Sequence, residues 1–445
     1  MRRVLIWFFR SLAKVFFRRI EIAGLDNIPR EGPVIFAVNH PNGLVDPLFL
    51  LCFAPRPVSF LAKAPLFRYP IIGFFTRRLD SIPVYRRQDG MLPEQNRETF
   101  EKSRALLARG ASIAIFPEGT SHSDPKLREL KTGAARIALG ASSAAAGRAA
   151  GAPIAIVPAG IYYTAKKTFR SSALVVFGAP IPVQPVQVGP NGEPPADAVE
   201  RLTEQIENAL SEITLQAGSR SALKLIARGE RVFSAASDIK TGLADELALR
   251  RRFVEGYSYL SAHDPAKLAE LESHLTRFEA ELGAASLQAE NLVSHHQAHH
   301  QLGPAITTLL ALVLLLPLAL AGAVIHYPAY RLVGFLAVRI AKGADDLIAT
   351  IKFLAALLLF PLTWIAFALG AWRVTGGRAA LVALIVVPLL GYIALRAFEG
   401  LDEVIGRTRA LVALALGRRS YQRLLDERRH LRDEILAVAE EMERG

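Results

Sequence analysis

The sequence predicts an α/β domain, a sheet with flanking helices, followed by a helical region and C-terminal membrane helices. Three observations predict it. Short apolar runs alternate with helical patterns from Ile20 to about Leu215, charged helical patterns fill residues 217–300, and long stretches free of Asp, Glu, Lys and Arg follow Gly303. At 445 residues the chain exceeds what one hydrophobic core usually holds, so two or three domains are expected. Lys and Arg number 53 against 41 Asp and Glu, a net charge of +12, while 51% of the residues are hydrophobic. Excess positive charge suits nucleic acid or an anionic membrane surface, and the apolar content favours the membrane. Cys52 is the single cysteine, which excludes an internal disulfide framework, a cysteine-rich zinc site and a paired-thiol redox motif, and which suits a reducing cytoplasm.

The N-terminal stretch MRRVLIWFFRSLAKVFFRRI, residues 1–20, contains no acid, and Arg10 and Lys14 interrupt its apolar run as a signal peptide would not allow. At the helical period Arg3, Arg10, Lys14 and Arg18 fall on one side, with Leu5, Phe8, Phe9, Leu12 and Phe16 on the other. This pattern predicts an amphipathic helix at a membrane interface; a helix packed on the protein's own core is the alternative.

Within residues 21–215 the expected strands are Val34–Val38, Val58–Leu61, Ser112–Phe116, Ile154–Ala159 and Ala173–Phe177. Helices are expected at Pro47–Phe53, Pro93–Ala108 and Thr132–Ser143. Residues 179–198 hold too much Pro and Gly for a helix or central strand and read as a linker or edge segment. A helix at Ala196–Gln216 closes the domain.

Residues 216–300 read as a helical spacer. At its end SHHQAHH sets His295 with His299, and His296 with His300, at a spacing that suits a metal on a helix face, but no carboxylate ligand stands nearby and a solvated histidine cluster accounts for it. In the region 301–398, Pro304–Ile325, Phe353–Trp372 and Ala379–Leu395 lack charge, and roughly 20 apolar residues suffice to cross a bilayer core. Three complete spans conflict with the positive-inside rule, because Arg331, Arg339, Lys342 and Lys352 or the basic tail after Arg396 then lie on the wrong side. An arrangement of two hairpins, one turning at RVTGGR and one bending near Pro317, keeps the basic segments cytoplasmic. The tail, 399–445, reads as a charged cytoplasmic helix.

The chemistry gathers at four places in the α/β part. VIFAV runs into Asn39-His40-Pro41-Asn42-Gly43-Leu44-Val45-Asp46-Pro47, where Pro41 stops a strand, Asn42-Gly43 favours a turn and Asp46-Pro47 resembles a helix cap. His40 and Asp46, brought together by that turn, form a general-base dyad, the carboxylate fixing the imidazole tautomer. A stray histidine beside a capping aspartate explains the same residues. Ser81 to Arg86 ends a strand with a guanidinium suited to a phosphate monoester. Phe116-Pro117-Glu118-Gly119-Thr120-Ser121 follows the strand SIAIF, at an edge where open α/β sheets place ligands. Val157-Pro158-Ala159-Gly160 ends another strand with a turn.

These four blocks, in this order, resemble the phospholipid/glycerol acyltransferase domain family over about residues 20–215. The resemblance implies a glycerolipid-acyltransferase-like sheet, His40 as general base, Asp46 as its partner, and acceptor-phosphate binding by Arg86, Glu118, Gly119 and Thr120. Lys63 and Lys131 lie in neighbouring segments that also look familial and are candidates for phosphate contact. The dyad departs from the usual pattern, with five residues between His40 and Asp46 instead of four. In this it resembles a branch of glycerol-3-phosphate acyltransferases in which further membrane segments follow the catalytic domain.

The resemblance implies a membrane enzyme that joins an acyl thioester, from acyl-CoA or acyl carrier protein as co-substrate, to a hydroxyl of glycerol-3-phosphate. It calls for no metal and no cofactor, and its partners are membrane lipid and the two substrates. A lysophosphatidate or other lysophospholipid acyltransferase is the nearest alternative, and a non-catalytic lipid-binding scaffold a more distant one. Nucleic acid is not expected as a partner, since no binding motif accompanies the basic residues. The residues carry no signal for the oligomeric state.

Overall fold

The computed structural model describes residues 2–86, 89–90, 96–146, 153–189, 192–235, 242–289, 292, 295–416 and 418–444. They form two compact units: Met1–Gln216 with Thr241–Leu247 and Ala344–Thr350, and Ala217–Lys240 with Ala248–Gly343 and Ile351–Gly445.

The first unit is built on a mixed sheet of β1 (Arg19–Ala23), β2 (Val34–Val38), β3 (Val58–Lys63), β4 (Ile82–Val84), β5 (Ser112–Ile115), β6 (Ala155–Tyr163), β7 (Ser172–Phe177) and β8 (Ile181–Pro182). Their order is β1-β7-β6-β2-β5-β3-β4, with β8 also on β6. Strands β4, β3, β5, β2 and β6 are mutually parallel, so their C-terminal ends share one edge. Parallel neighbours need helical crossovers. These are α2 (Val45–Phe53), α3 (Pro70–Arg78), α4 (Asn96–Leu107) and α5 (Gly133–Ala146). β2 is buried at every position, as a central parallel strand covered on both faces should be. Ile35 and Ala37 pack with Ile137, Ala138, Leu202 and Ile206 of α5 and α6 (Ala196–Ile213), whereas Phe36 meets Phe177 edge to face.

The expected strands and helices are present with shifted ends, and α3 and β8 add to them; further differences bear on the site. β1 was not expected; its sequence RIEIA is short and charged, but it pairs with β7 in parallel. The block Val157 to Gly160 is strand, not turn: β6 continues through it to Tyr163. Pro158 falls between the β8 and β7 pairings, where a missing N–H costs no ladder bond, and a Cβ at Gly160 would stand 2.7 Å from the Ile213 carbonyl oxygen. Asp46 does not cap α2. The helix begins one residue earlier, with Leu44 as its N-cap and no cap from that residue's own side chain.

The N-terminal helix α1 (Arg2–Phe16) packs one side on the unit and exposes apolar residues on another. Phe9, Ala13 and Phe16 are buried in the unit, while Trp7 is 69% exposed beside Val4, Phe8 and Val15. Arg10 is drawn from the expected basic face onto the Cys52 carbonyl and the Phe53 ring. Burial pushes the Cys52 thiol up to about 12, against the lowering effect of Arg10.

In the second unit, α7 (Arg220–Ala235), most of α8 (Leu243–His263) and α9 (Pro265–Ala284) precede the long helices α10 (His295–Ala341), α11 (Asp345–Thr375, from Ile351 onward) and α12 (Gly377–Leu416), and α13 (Arg418–Arg444) follows. Residues 217–300 are therefore more than a spacer: Val232, Leu275 and Phe278 share a core with Tyr421, Leu424 and Leu431 of the tail. His274 on α9 bonds Glu427 at 2.7 Å and Glu434 at 2.9 Å on α13. The side chains of His295, His296, His299 and His300 lie outside the described residues.

Thr307–Ala341, Leu347–Thr375 and Gly377–Asp402 are long and apolar enough to cross a bilayer. The expected bend near Pro317 is absent, since α10 is one helix throughout. The turn at RVTGGR is present: α11 ends at Thr375, Gly376 has φ +96°, and α12 begins at Gly377. Gly322 lies against Leu390, Gly391 against His326 and Gly400 against Leu312, so α10 and α12 run antiparallel with small residues in their seam. Trp364 of α11 donates to His326 Nε2 at 3.0 Å.

Candidate active site

The site is assembled where the parallel strands end. Asn39 extends the ladder one step past β2: its side chain donates to the Ile161 carbonyl and accepts from the Ile161 N–H, at 3.1 and 2.7 Å. An amide does this because it carries both a donor and an acceptor. His40 then leaves the sheet. Its ring stacks on Phe116 with centroids 4.1 Å apart, and its Nδ1 lies 2.8 Å from Asp46 Oδ2. Asp46 is fully buried; Oδ2 also accepts from the Asn42 N–H at 2.7 Å, and Oδ1 accepts from the Tyr163 hydroxyl at 2.6 Å. Acceptance of Nδ1–H by this carboxylate leaves Nε2 as the ring nitrogen for a substrate proton. Burial, then the Asp46 charge and hydrogen bond, push the Tyr163 phenol well above its ordinary value, so it remains a donor.

The loop after β5 is clasped to the His40 loop. The His40 N–H donates to Glu118 Oε1 at 2.8 Å, and the His122 N–H returns a bond to the His40 carbonyl at 3.1 Å. Glu118 Oε2 meets His122 Nε2 and the Arg128 N–H. The buried Glu118 is thus a brace between loops, and its expected contact with an acceptor phosphate is replaced by these bonds. Lys166 adds a second clasp, donating to the Pro41 carbonyl and Ser123 Oγ, each at 2.7 Å.

Gly119 has φ +74° and its carbonyl accepts from Arg86. Arg86 also forks onto Asp89 at 2.7 and 3.0 Å, so an arriving phosphate competes with a carboxylate already in the fork. The Arg86 hydrogen bond holds the Asp89 carboxyl below its usual range despite partial burial, and the charges of Arg86 and Lys63 act in the same direction. Lys63, at the end of β3, pairs in register with Val84, two residues before Arg86. The exposed Lys131 lies along Gly119 through its Cγ, and Thr120 on the same loop bonds the Ser121 carbonyl. His40 and Asp46 are thus brought into direct contact, as are Arg86 and Gly119, and Lys63 and Lys131 approach the latter pair. Among the described residues no group of three or more His, Cys, Asp or Glu side chains is placed to hold a metal ion.

Sequence reasoning missed Tyr163, Asn39, Asp89, His122 and Lys166. Asn39 beside His40, Asp89 three residues after Arg86 and His122 four after Glu118 are local in sequence, whereas Tyr163 and Lys166 are joined to the site by tertiary structure.

Residues 19–162 match the acyltransferase family model, and residues 225–443 match that of the glycerol-3-phosphate acyltransferase 2 C-terminal domain. The chain therefore carries an acyltransferase family domain followed by a glycerol-3-phosphate acyltransferase 2 C-terminal domain. It is 26% identical over 458 residues to glycerol-3-phosphate O-acyltransferase 1 of Saccharomyces cerevisiae, covering 81% of this chain and 59% of that relative. A shorter similarity, 32% identity over 123 residues, relates it to the chloroplastic 1-acyl-sn-glycerol-3-phosphate acyltransferase LPAT1 of Arabidopsis thaliana, with 27% of this chain and 33% of that one covered. Among solved structures, the 1-acyl-sn-glycerophosphate acyltransferase of Thermotoga maritima matches with TM-score 0.34 and 18% identity, over 47% of this chain and 80% of its own.

Proposed function

We propose that the protein is a membrane-bound glycerolipid O-acyltransferase that moves a fatty acyl group from an acyl thioester to a hydroxyl of glycerol-3-phosphate. The observation that carries this reading is the hydrogen-bonded row Tyr163–Asp46–His40, which orients one ring nitrogen for proton abstraction. His40 Nε2 takes the hydroxyl proton as the oxygen attacks the thioester carbonyl. The C–S bond then breaks, and the thiolate recovers the proton from the imidazolium. Placing both reactants supplies most of the acceleration, and the base contributes about 10²- to 10⁴-fold. Arg86, with Lys63 and Lys131, holds the acceptor phosphate after displacing Asp89, and Gly119 and Thr120 form the floor of that subsite.

The membrane supplies the acyl chain's surroundings and receives the product. The exposed face of α1, Val4, Trp7, Phe8 and Val15, rests at the bilayer interface, with basic neighbours toward anionic headgroups. The catalytic unit lies on the cytoplasmic face, where the positive-inside rule places its basic flanks. Each complete crossing transfers the chain to the opposite face. Since α9 and α13 pack together, the crossings between them are even in number, so at least one of the three candidate helices does not cross completely.

A second reading, transfer to 1-acylglycerol-3-phosphate, is favoured by the similarity of the catalytic part to LPAT1. The C-terminal match and the similarity to the yeast glycerol-3-phosphate enzyme favour the first. Purified detergent-solubilised protein, offered each acceptor separately with acyl-CoA and with acyl carrier protein, distinguishes them. Faster turnover of the unacylated acceptor is expected; faster turnover of the lyso-lipid reverses the assignment, and transfer to neither rejects both.

A further inference from the structure

The loop from His40 to Asp46 is held by bonds from several parts of the chain. Glu118 takes the His40 N–H, Lys166 holds the Pro41 carbonyl, and Asp46 takes the Asn42 N–H. A fourth bond comes from 306 residues away: the Leu44 N–H donates to Thr350 Oγ1 at 3.1 Å. Leu44 is the N-cap of α2; its apolar side chain offers the helix start no acceptor, and the nearby Asp46 carboxylate is committed to His40 and Tyr163. A helix start leaves N–H groups in need of acceptors, and a hydroxyl is a suitable one.

Thr350 is only 6% exposed, and it lies in the segment Ala344–Thr350, which belongs to the catalytic unit although α11 continues beyond it. Lys167, next to the loop-clasping Lys166, pairs with Asp345 of the same segment at 2.6 Å. Those two side chains are partly exposed, so their ion pair contributes little, and the buried hydroxyl is the specific contact. Thr350 also stands three residues inside the candidate span that begins at Leu347.

We propose that Thr350 is a positioning residue for acyl transfer: its hydroxyl fixes the five-residue loop between His40 and Asp46, so the catalytic geometry depends on the first turns of α11. The proposal rests on the acyl-transfer reading of His40. It accounts for a loop one residue longer than the usual spacing, because the added backbone acquires its own anchor. Thr350 itself touches neither substrate nor the dyad.

The test compares full-length Thr350→Val, Thr350→Ser and, as a control, Thr363→Val, whose hydroxyl bonds back to Leu359 in α11. Two readouts are taken: steady-state kinetics, and hydrogen exchange of the peptide spanning residues 40–46. Thr350→Val is expected to lower kcat about ten- to hundredfold with KM within about twofold, and to speed exchange in that peptide, because small misplacements of reacting groups are costly. Thr350→Ser restores both, and Thr363→Val changes neither. Exchange and kcat of Thr350→Val equal to the parent overturn the proposal, as does an equal loss in Thr350→Ser. A parent inactive on both acceptors rejects the acyl-transfer reading, while the exchange result still decides whether Thr350 holds the loop.

Discussion

Tyr163 donates its hydroxyl to one oxygen of Asp46 at 2.6 Å while the other oxygen of that carboxylate lies 2.8 Å from His40 Nδ1. The carboxylate is therefore fixed from both ends, and the imidazole inherits its orientation. Tyr163→Phe removes one end and keeps the ring between Phe17 and Phe49. We predict a fall in kcat of about tenfold with little change in KM, matching the loss of one hydrogen bond to a charged group. Steady-state kinetics on both acceptors check this, and an unchanged kcat removes Tyr163 from the account.

Arg86 is engaged by Asp89 before any acceptor arrives. Asp89→Asn withdraws the competing charge, and KM for a phosphate-bearing acceptor should fall several-fold. Arg86→Ala should raise it by about tenfold or more. Initial rates across acceptor concentration, at low and high salt, measure both effects. A higher KM in Asp89→Asn would show that the carboxylate organises Arg86 for binding.

With α9 packed against α13, any membrane crossings by the helices between them must be even in number. Protease sites placed near residue 285 and at the C-terminus should be cut from the same side of sealed vesicles. Protection of one with cleavage of the other contradicts the even count.

His274 is buried between Glu427 and Glu434. Burial alone would lower its pKa, but the hydrogen bonds and charges of the two carboxylates outweigh that, so the folded value lies above the ordinary 6.5. A raised folded value makes its stabilisation fully present below about pH 6.5 and lost as pH rises through the folded value. The melting midpoint should drop between about pH 5.5 and about pH 8.5 by more in the parent than in His274→Leu. Equal drops in the two proteins leave the cluster without a role in the pH response.

Much of this was legible because it is local. β2 and β5 are short apolar runs that burial on both faces requires, and His40 sits where Pro41 ends the first of them. Other features are set by distant partners. Asp46 and Pro47 look like a cap in isolation, and only His40 and Tyr163 in space turn the carboxylate away from that task. Glu118 was expected beside a phosphate, but the His40 N–H, His122 and the Arg128 N–H occupy it. The charged strand β1 gave no apolar signal because its stability comes from pairing with β7. Residues 217–300 read as a spacer because part of their core, including Tyr421 and Leu424, lies more than a hundred residues further along.

In the proposed reaction His40, aligned by Asp46, removes the proton from the acceptor hydroxyl. The most direct test of this step is the rate of acyl transfer to glycerol-3-phosphate by His40→Ala beside the parent, both purified and shown to be folded. A loss of at least about a hundredfold in kcat is expected, the lower range for a general base. Transfer by His40→Ala at a rate near that of the parent would contradict it.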